Sequence, residues 1–539
     1  MMRTIDLRGT GELSPERVES LLPRAERGVD DVIAEVRPLL EDIQARGAAA
    51  LTEQAERFDG VAPIQTLVPP RAAREALAGL DPAVRRAMEV AIERTRRVHA
   101  AQVPPDNTVE VAPGAAISQR WIPVRRVGLY VPGGLAVYPS SVIMNAVPAQ
   151  EAGVRQLAVA SPPKREFGGW PHPAVLAACA LLGVEEIYAA GGVSAIGLFA
   201  YGVPGVAAKV DVVTGPGNLY VVTAKRLVMG RVGIDSEAGP TEIAIIADGG
   251  ANAEFVAADL VSQAEHDPLA AAVLITDSPD LAREVGAAVE RRAGSTKHAE
   301  RVGRALGGAQ SAIVLVEGLA EAVQVANAYA AEHLELQVAD PAAVAEAIHC
   351  AGAIFVGPYS PVPLGDYLAG SNHVLPTAGN ARFASGLGVT AFLKSVQQIE
   401  YSEAALDNVA SLIEAFALAE DLPAHSEAIR TRIGPPAPAL TSLGPGAQPP
   451  GRRDGDSQSL PGGESDASPM VDAVRLSPDD SPERRPPADG APGAATGGDG
   501  EEGPPASPAW LRQALSQPIP SPPAAWESTA PPPGTQRFE

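Results

Sequence analysis

The sequence predicts an α/β protein with two consecutive parallel-sheet lobes, a helical N-terminal segment, a helical C-terminal arm and a disordered tail. Three observations carry that reading. From residue 127 short β-branched runs alternate with alanine-rich helical stretches, the pattern of βαβ units and a parallel sheet. Near residue 242 the alternation starts again, so there are two sets of units. After Gly434 apolar periodicity stops, and proline, glycine, serine and acidic residues run to Glu539. Such a composition cannot bury enough apolar surface to offset the entropy of folding.

The N-terminal segment, 1–126, reads as mainly helical over about 14–105. Ser14-Pro15-Glu16-Arg17 and Asp81-Pro82-Ala83-Val84 each place a capping residue before a proline at the first helical position. The first lobe, 127–236, has strand-like runs at 127–131, 156–160, 186–189 and 211–214, with helical runs at 140–152, 173–182, 194–200 and 219–229. The second lobe, 237–400, repeats the scheme with strands near 242–246, 272–276, 312–316, 334–338 and 354–356, and helices near 252–266 and 279–291. Two lobes of similar make-up suggest an ancient duplication, without a residue-level repeat. Residues 401–434 form the arm, and the tail covers 435–539; its patch at 508–515 reads as solvated chain.

A length of 539 residues exceeds a single core, consistent with two lobes. The net charge of −23 argues against a nucleic-acid partner, which calls for a basic surface. With two cysteines, Cys179 and Cys350, both in apolar helical stretches, a disulfide framework is not expected. Both read as small buried hydrophobes in a reducing compartment. The first ten residues lack the apolar run of a secretion signal, and no stretch approaches the roughly 20 apolar residues of a membrane span. A cytoplasmic protein without a membrane partner is expected.

The chemistry is concentrated in three short segments: Ser262-Gln263-Ala264-Glu265-His266, Glu332-His333-Leu334-Glu335, and Gly365-Asp366-Tyr367 followed by Asn372-His373. Of the eight histidines, His266, His333, His373 and His425 fall in these segments or near the end of the folded part. Gln263 and His266, three apart on a helix, share a face and can hold a divalent ion with help from elsewhere; a surface pair is the bland alternative. Asp366 follows Gly365 in a turn-rich loop, where a carboxylate can be presented to a ligand. Glu420 and His425 flank Pro423 and add another carboxylate and imidazole. A Gln, His, Asp, His set without thiolate suits zinc, and manganese or cobalt as well. Glu332-His333 sits on the connection into the 334–338 strand. A neutral imidazole there can take a hydroxyl proton, and a carboxylate can activate water; an exposed helix-terminal pair is the alternative. Two glycine turns, at 128–134 and Gly215-Pro216-Gly217-Asn218, end strands where backbone amides can receive a phosphate. Neither is the G-x-G-x-x-G fingerprint, so alone they are only turns.

Taken in order, the segments resemble the histidinol dehydrogenase family across residues 3–433. The matching stretches are 128–134, 215–218 with Ala224-Lys225-Arg226, Ala238-Gly239-Pro240-Thr241-Glu242, 262–266, 331–335 and 365–377. The resemblance implies incomplete Rossmann-like lobes, with Gln263, His266, Asp366 and His425 as zinc ligands and Glu332 and His333 as the acid–base pair. Thr241 (where serine is common), Glu420, His333 and the four ligands would contact L-histidinol. Tyr130 and Asn218 match NAD-contacting positions. Ser194 stands where the family often has glutamine, so a contact there would be weaker or bridged by water. The implied reaction is an NAD-dependent four-electron oxidation of L-histidinol through the aldehyde to L-histidine, the last step of histidine biosynthesis. The implied assembly is a homodimer whose C-terminal arm completes the partner's site. Rival readings are a relative that oxidises a sulfonated polyol, a zinc hydrolase with Glu332 as base, and a catalytically silent scaffold.

Overall fold

The computed structural model describes the chain except residues 1, 12, 23, 25–28, 134–136, 238 and 434–539. Gly134, Ala238 and the tail expected over 435–539 therefore lie outside the described residues.

Five parallel strands, Arg126–Tyr130, Gln156–Ser161, Glu186–Ala189, Val212–Thr214 and Gly233–Ile234, make the first sheet. Across the sheet they run third, second, first, fourth, fifth. A second sheet contains Glu242–Ala247, Ala271–Thr276, Ala312–Leu315, His333–Gln337 and Ala353–Val356 in the same order. It is also parallel, and Arg3–Asp6 extends it beyond the third strand. The strands are β-branched and apolar because helices cover both faces. Side-chain alternation splits each strand between two cores. Val127 and Leu129 join one, while Tyr130, Ala158 and Ala160 join the other. In the second sheet Ala244 and Ile246 face one core, and Ile243 and Ile245 the opposite one. Gly128 is required where it stands, because a Cβ would run into the ring of Phe199.

The two sheets meet the pocket with opposite ends. In the first, the connections after Tyr130 and Thr214 leave from neighbouring strands where the order reverses, and open a crevice at the carboxyl ends. In the second, the pocket residues stand at amino ends: Thr241 precedes Glu242–Ala247, and His333 begins His333–Gln337.

The N-terminal helices form as their caps predict. Ser14 accepts from the Arg17 amide, and Asp81 accepts from the amides of Ala83 and Val84. The same segment also contains strands. Arg3–Asp6 pairs with Ala312–Leu315, and Asn107–Ala112 and Ala115–Pro123 join Leu393–Tyr401 in a three-stranded sheet. Arg3–Asp6 and Leu393–Tyr401 pair with strands far along the chain, so no local pattern announces those pairings. Asn107–Ala112 and Ala115–Pro123 are consecutive strands across the Pro113-Gly114 turn, a local hairpin that the helical reading of this segment does not anticipate.

Three local expectations are corrected. Asp366 lies in a short helix, Val362–Tyr367, entered through Pro361, and not in a loop. The helix bearing Gln263 is Ala253–Ala264, so His266 stands just beyond its C-terminal end. Cys179 is buried within a helix, whereas Cys350 is half-buried in a bend after Pro341–Glu346.

Ala112–Ala115 and the described residues from Tyr401 to Ile433 form a second compact unit. Its described helices are Glu403–Ala419, capped by Ser402, and Pro423–Ile433, entered through proline. Glu420 ends the first, and His425 lies in the first turn of the second; both are exposed. Among the described residues no helix is long and apolar enough to cross a membrane.

Candidate active site

A cavity of about 1030 Å³ is lined from the first lobe by Tyr130, Ser194 and Asn218, and from the second by Thr241, Gln263, His266, Glu332, His333 and Asp366. The structure thus gathers nine of the expected site residues in one pocket. Glu420 and His425 belong to the second unit.

The candidate acid–base pair, Glu332 and His333, is held by backbone and by Thr241. Glu332 Oε2 accepts from Thr241 Oγ1 at 2.5 Å and from the Glu242 amide at 2.9 Å. Burial nevertheless raises the Glu332 pKa well above the ordinary glutamate value, with the nearby Glu242 and Asp366 charges adding to it and the two hydrogen bonds opposing it. His333 Nδ1 lies 3.0 Å from the Glu242 carbonyl oxygen. A carbonyl only accepts, so Nδ1 carries the proton and Nε2 keeps its lone pair. That Nε2 is buried with no hydrogen-bond partner among the described residues, 3.9 Å from Asp366 Oδ1. Burial lowers the His333 pKa below 6.5, which keeps the ring neutral. A neutral imidazole with a free buried nitrogen is a poised base.

Three of the four candidate metal ligands, Gln263, His266 and Asp366, line the pocket beside this pair. Gln263 Nε2 donates to Thr241 Oγ1, while its Oε1 is buried and has no partner among the described residues. An amide oxygen left in that state suits a cation. Burial lowers the His266 pKa against the opposing charge of Asp366, keeping that ring neutral as ligation requires. Among the described residues no three His, Cys, Asp or Glu side chains cluster as a metal site by themselves. The set here is mixed, and its amide member is what makes it hard to see from charge alone.

At the first-lobe side, Tyr130 is buried, its pKa is pushed up to about 12 by burial, and its hydroxyl oxygen accepts from the Gly192 amide at 3.2 Å. Asn218 Oδ1 caps helix Leu219–Val228 by accepting from the amides of Tyr220 and Val221. The turn before it needs glycine at 215, where φ is +125° and a Cβ would collide with the Tyr130 carbonyl. Ser194 Oγ donates to Gln54 Oε1 at 2.8 Å, so its hydrogen is committed and only acceptor capacity remains for a ligand.

Two residues acquire roles the sequence did not assign. The Glu242 main chain donates to Glu332 and accepts from His333, a function any residue type could fill. His373 Nδ1 donates to the Asp366 carbonyl at 3.0 Å, and its Nε2 lies 3.1 Å from Ser141 Oγ. It thereby ties the Asp366 helix to helix Pro139–Glu151 of the first lobe. Its place in the third segment was the available signal.

Fold and site together define an α/β protein in which a crevice at the switch point of the first sheet runs into a pocket that holds the buried Glu332 and His333. The histidinol dehydrogenase family model matches residues 22–433. The chain is 58% identical to histidinol dehydrogenase of Thermobifida fusca (strain YX), over 80% of this chain and 97% of that one. It is 56% identical to that of Corynebacterium glutamicum, over 80% and 98%. The crystal structure of histidinol dehydrogenase from Elizabethkingia anophelis matches with a TM-score of 0.74 and 32% identity, covering 80% of this chain and 98% of that one. The chain belongs to the histidinol dehydrogenase family and is an oxidoreductase.

Proposed function

We propose that this chain oxidises L-histidinol to L-histidine through L-histidinaldehyde, the last step of histidine biosynthesis, in the cytoplasm. The observation that carries this is the unpartnered Nε2 of His333, facing a pocket that also holds Glu332 and the open amide oxygen of Gln263. His333 Nε2 takes the hydroxyl proton as the alcohol carbon gives up its hydride. Glu332, one oxygen fixed by Thr241 and the Glu242 amide, uses the other to take a proton from water attacking the aldehyde. His333 serves again when the resulting diol is oxidised. Tyr130, Asn218 and, through acceptor capacity, Ser194 would hold NAD, which would supply the hydride acceptor for both oxidations. Its phosphates suit the glycine turn at the N-terminus of Leu219–Val228. Gln263, His266, Asp366 and His425 would hold zinc, which anchors the substrate's imidazole and amino nitrogens and so supplies orientation. With Thr241, His333 and Glu420 these residues form the substrate contacts.

We further propose a homodimer in which the arm brings Glu420 and His425 to a second copy's pocket. Its helix Glu403–Ala419 exposes Leu412, Phe416 and Leu418, an apolar face suited to such an interface. A sulfonated polyol fits less well, because the second-lobe lining has no lysine or arginine among the described residues.

The test is NADH absorbance with zinc-loaded protein, excess NAD and limiting L-histidinol. About two NADH per histidinol, with histidine as product, is the expected result. Turnover only with another diol would reassign the substrate, and no NADH from any alcohol would overturn the reading.

A further inference from the structure

Behind the pocket lies a buried polar cluster that the chemistry above does not use. Alternation along His333–Gln337 places His333, Glu335 and Gln337 on one face of the strand. Glu335 is 1% exposed, Gln337 4%, and Asp259 8%. Asp259 comes from helix Ala253–Ala264, one turn before Gln263. Gln337 Nε2 lies 3.2 Å from Glu335 Oε2 and 3.3 Å from Asp259 Oδ2, so the two buried carboxyls converge on one amide donor. Glu335 Oε1 accepts from the Val362 amide at 3.0 Å, at the first residue of the helix that carries Asp366. One cluster therefore ties together the helix of Gln263, with His266 just beyond its end, the strand of His333 and the helix of Asp366.

We infer that Asp259 and Glu335 form a proton-sharing carboxyl pair that positions the Gln263, His266 and Asp366 side chains, so that a proton remote from the reacting atoms sets the pocket's geometry. Two buried carboxyls that share one donor cannot both ionise without strong repulsion, whereas one proton between them would make a short charge-assisted bond. The charged groups around the pair are few. Arg292, from helix Pro279–Ser295, acts on Asp259; His333 and Asp366 lie further along their own elements. The neighbouring strands present Ile245 and Phe355 at the register of Glu335. Burial and the Asp259 charge raise the Glu335 pKa to about 8, and Asp259 is raised as well. A raised carboxyl holds its proton in the folded state after the unfolded chain has lost it. Stability therefore falls as pH rises from the ordinary glutamate value of 4.5 toward about 8, where the shared proton is finally lost.

Glu335 and Asp259 are positioning residues, and the inference rests on the pocket being the histidinol site. Glu335→Gln and Asp259→Asn replace one carboxyl by an uncharged amide that still hydrogen-bonds. In the wild type, KM for histidinol is expected to rise at least threefold as pH passes 8, with kcat little changed; in both variants KM stays flat across that range. A variant whose KM climbs in parallel with the wild type overturns the inference, since a merely structural residue would shift the whole curve without changing its shape. Thermal midpoints between pH 5 and 9 read the pair without turnover. The wild-type midpoint declines toward pH 8 and the variants' declines less, while parallel curves overturn the proposal even if histidinol is not the substrate. If one variant does not fold, the other decides.

Discussion

His333 suits the proposed role of base because of what its other nitrogen touches. The Glu242 carbonyl claims the Nδ1 proton, and burial holds the ring neutral. The sign follows directly: with its pKa lowered from 6.5, the imidazole stays unprotonated to lower pH than a free histidine. In the pH profile of the first oxidation, the acid limb is expected below 6.5. His333→Asn should lower kcat about 10²–10⁴-fold, the usual contribution of a general base, without a comparable change in KM. Glu332→Gln should retain the first hydride transfer and stall at the aldehyde, giving about one rapid NADH per histidinol in a stopped-flow trace instead of two. Much of this was legible in the chain. Glu332-His333 and Gln263 with His266 stand out from an alanine-rich background. What was not legible is the chain of bonds from Gln263 through Thr241 to Glu332, which joins residues 22 and 91 positions apart.

Elements place these residues only as well as their ends are held. The glycine turn at 215 is held by a buried pair: Lys225 meets Asp235, and its Nζ also donates to the carbonyls of Gly215 at 3.0 Å and Ser236 at 2.8 Å. Asp235 Oδ2 accepts from the Gly215 amide at 2.9 Å. Lys225 and Asp235 are both essentially excluded from water. Removing one partner strands a buried charge, so Lys225→Met is expected to destabilise the fold by about 3–5 kcal/mol in denaturant unfolding. Replacing both residues by apolar ones should recover much of that loss; no recovery would mean the pair is not the source of the effect. The sequence marked Ala224-Lys225-Arg226 by resemblance, but the partner at 235 is a single acidic residue with nothing local to distinguish it. The helix of Asp366 looks like a loop in sequence for a similar reason. Six residues beginning after Pro361 and containing Gly365 carry turn composition, and Glu335 supplies the acceptor that starts the helix from another part of the chain.

Across the whole molecule, the same strand order serves twice, with the first sheet meeting the pocket at its carboxyl ends and the second at its amino ends. The proposed trans arrangement of the arm has its own test. His425→Ala and His333→Asn are each expected to be inactive alone. Mixed under conditions that allow subunit exchange, they should regain a measurable part of wild-type activity, because one of the two pockets in a hybrid dimer is then intact. No recovery, with exchange confirmed by mass, would place His425 in its own chain's site.

The amino-acid sequence by itself determined the two α/β sets, their helix caps, the short segments that carry the chemistry and the family to which they point. These depend on local periodicity and on residue types that few other roles require. Only the tertiary structure decided that Arg3–Asp6 joins the second sheet, that the Glu242 backbone sets the tautomer of His333, and that Asp259 and Glu335 meet behind the pocket. Each of those depends on contacts between distant parts of the chain, where backbone groups and isolated carboxyls look alike until folding brings them together.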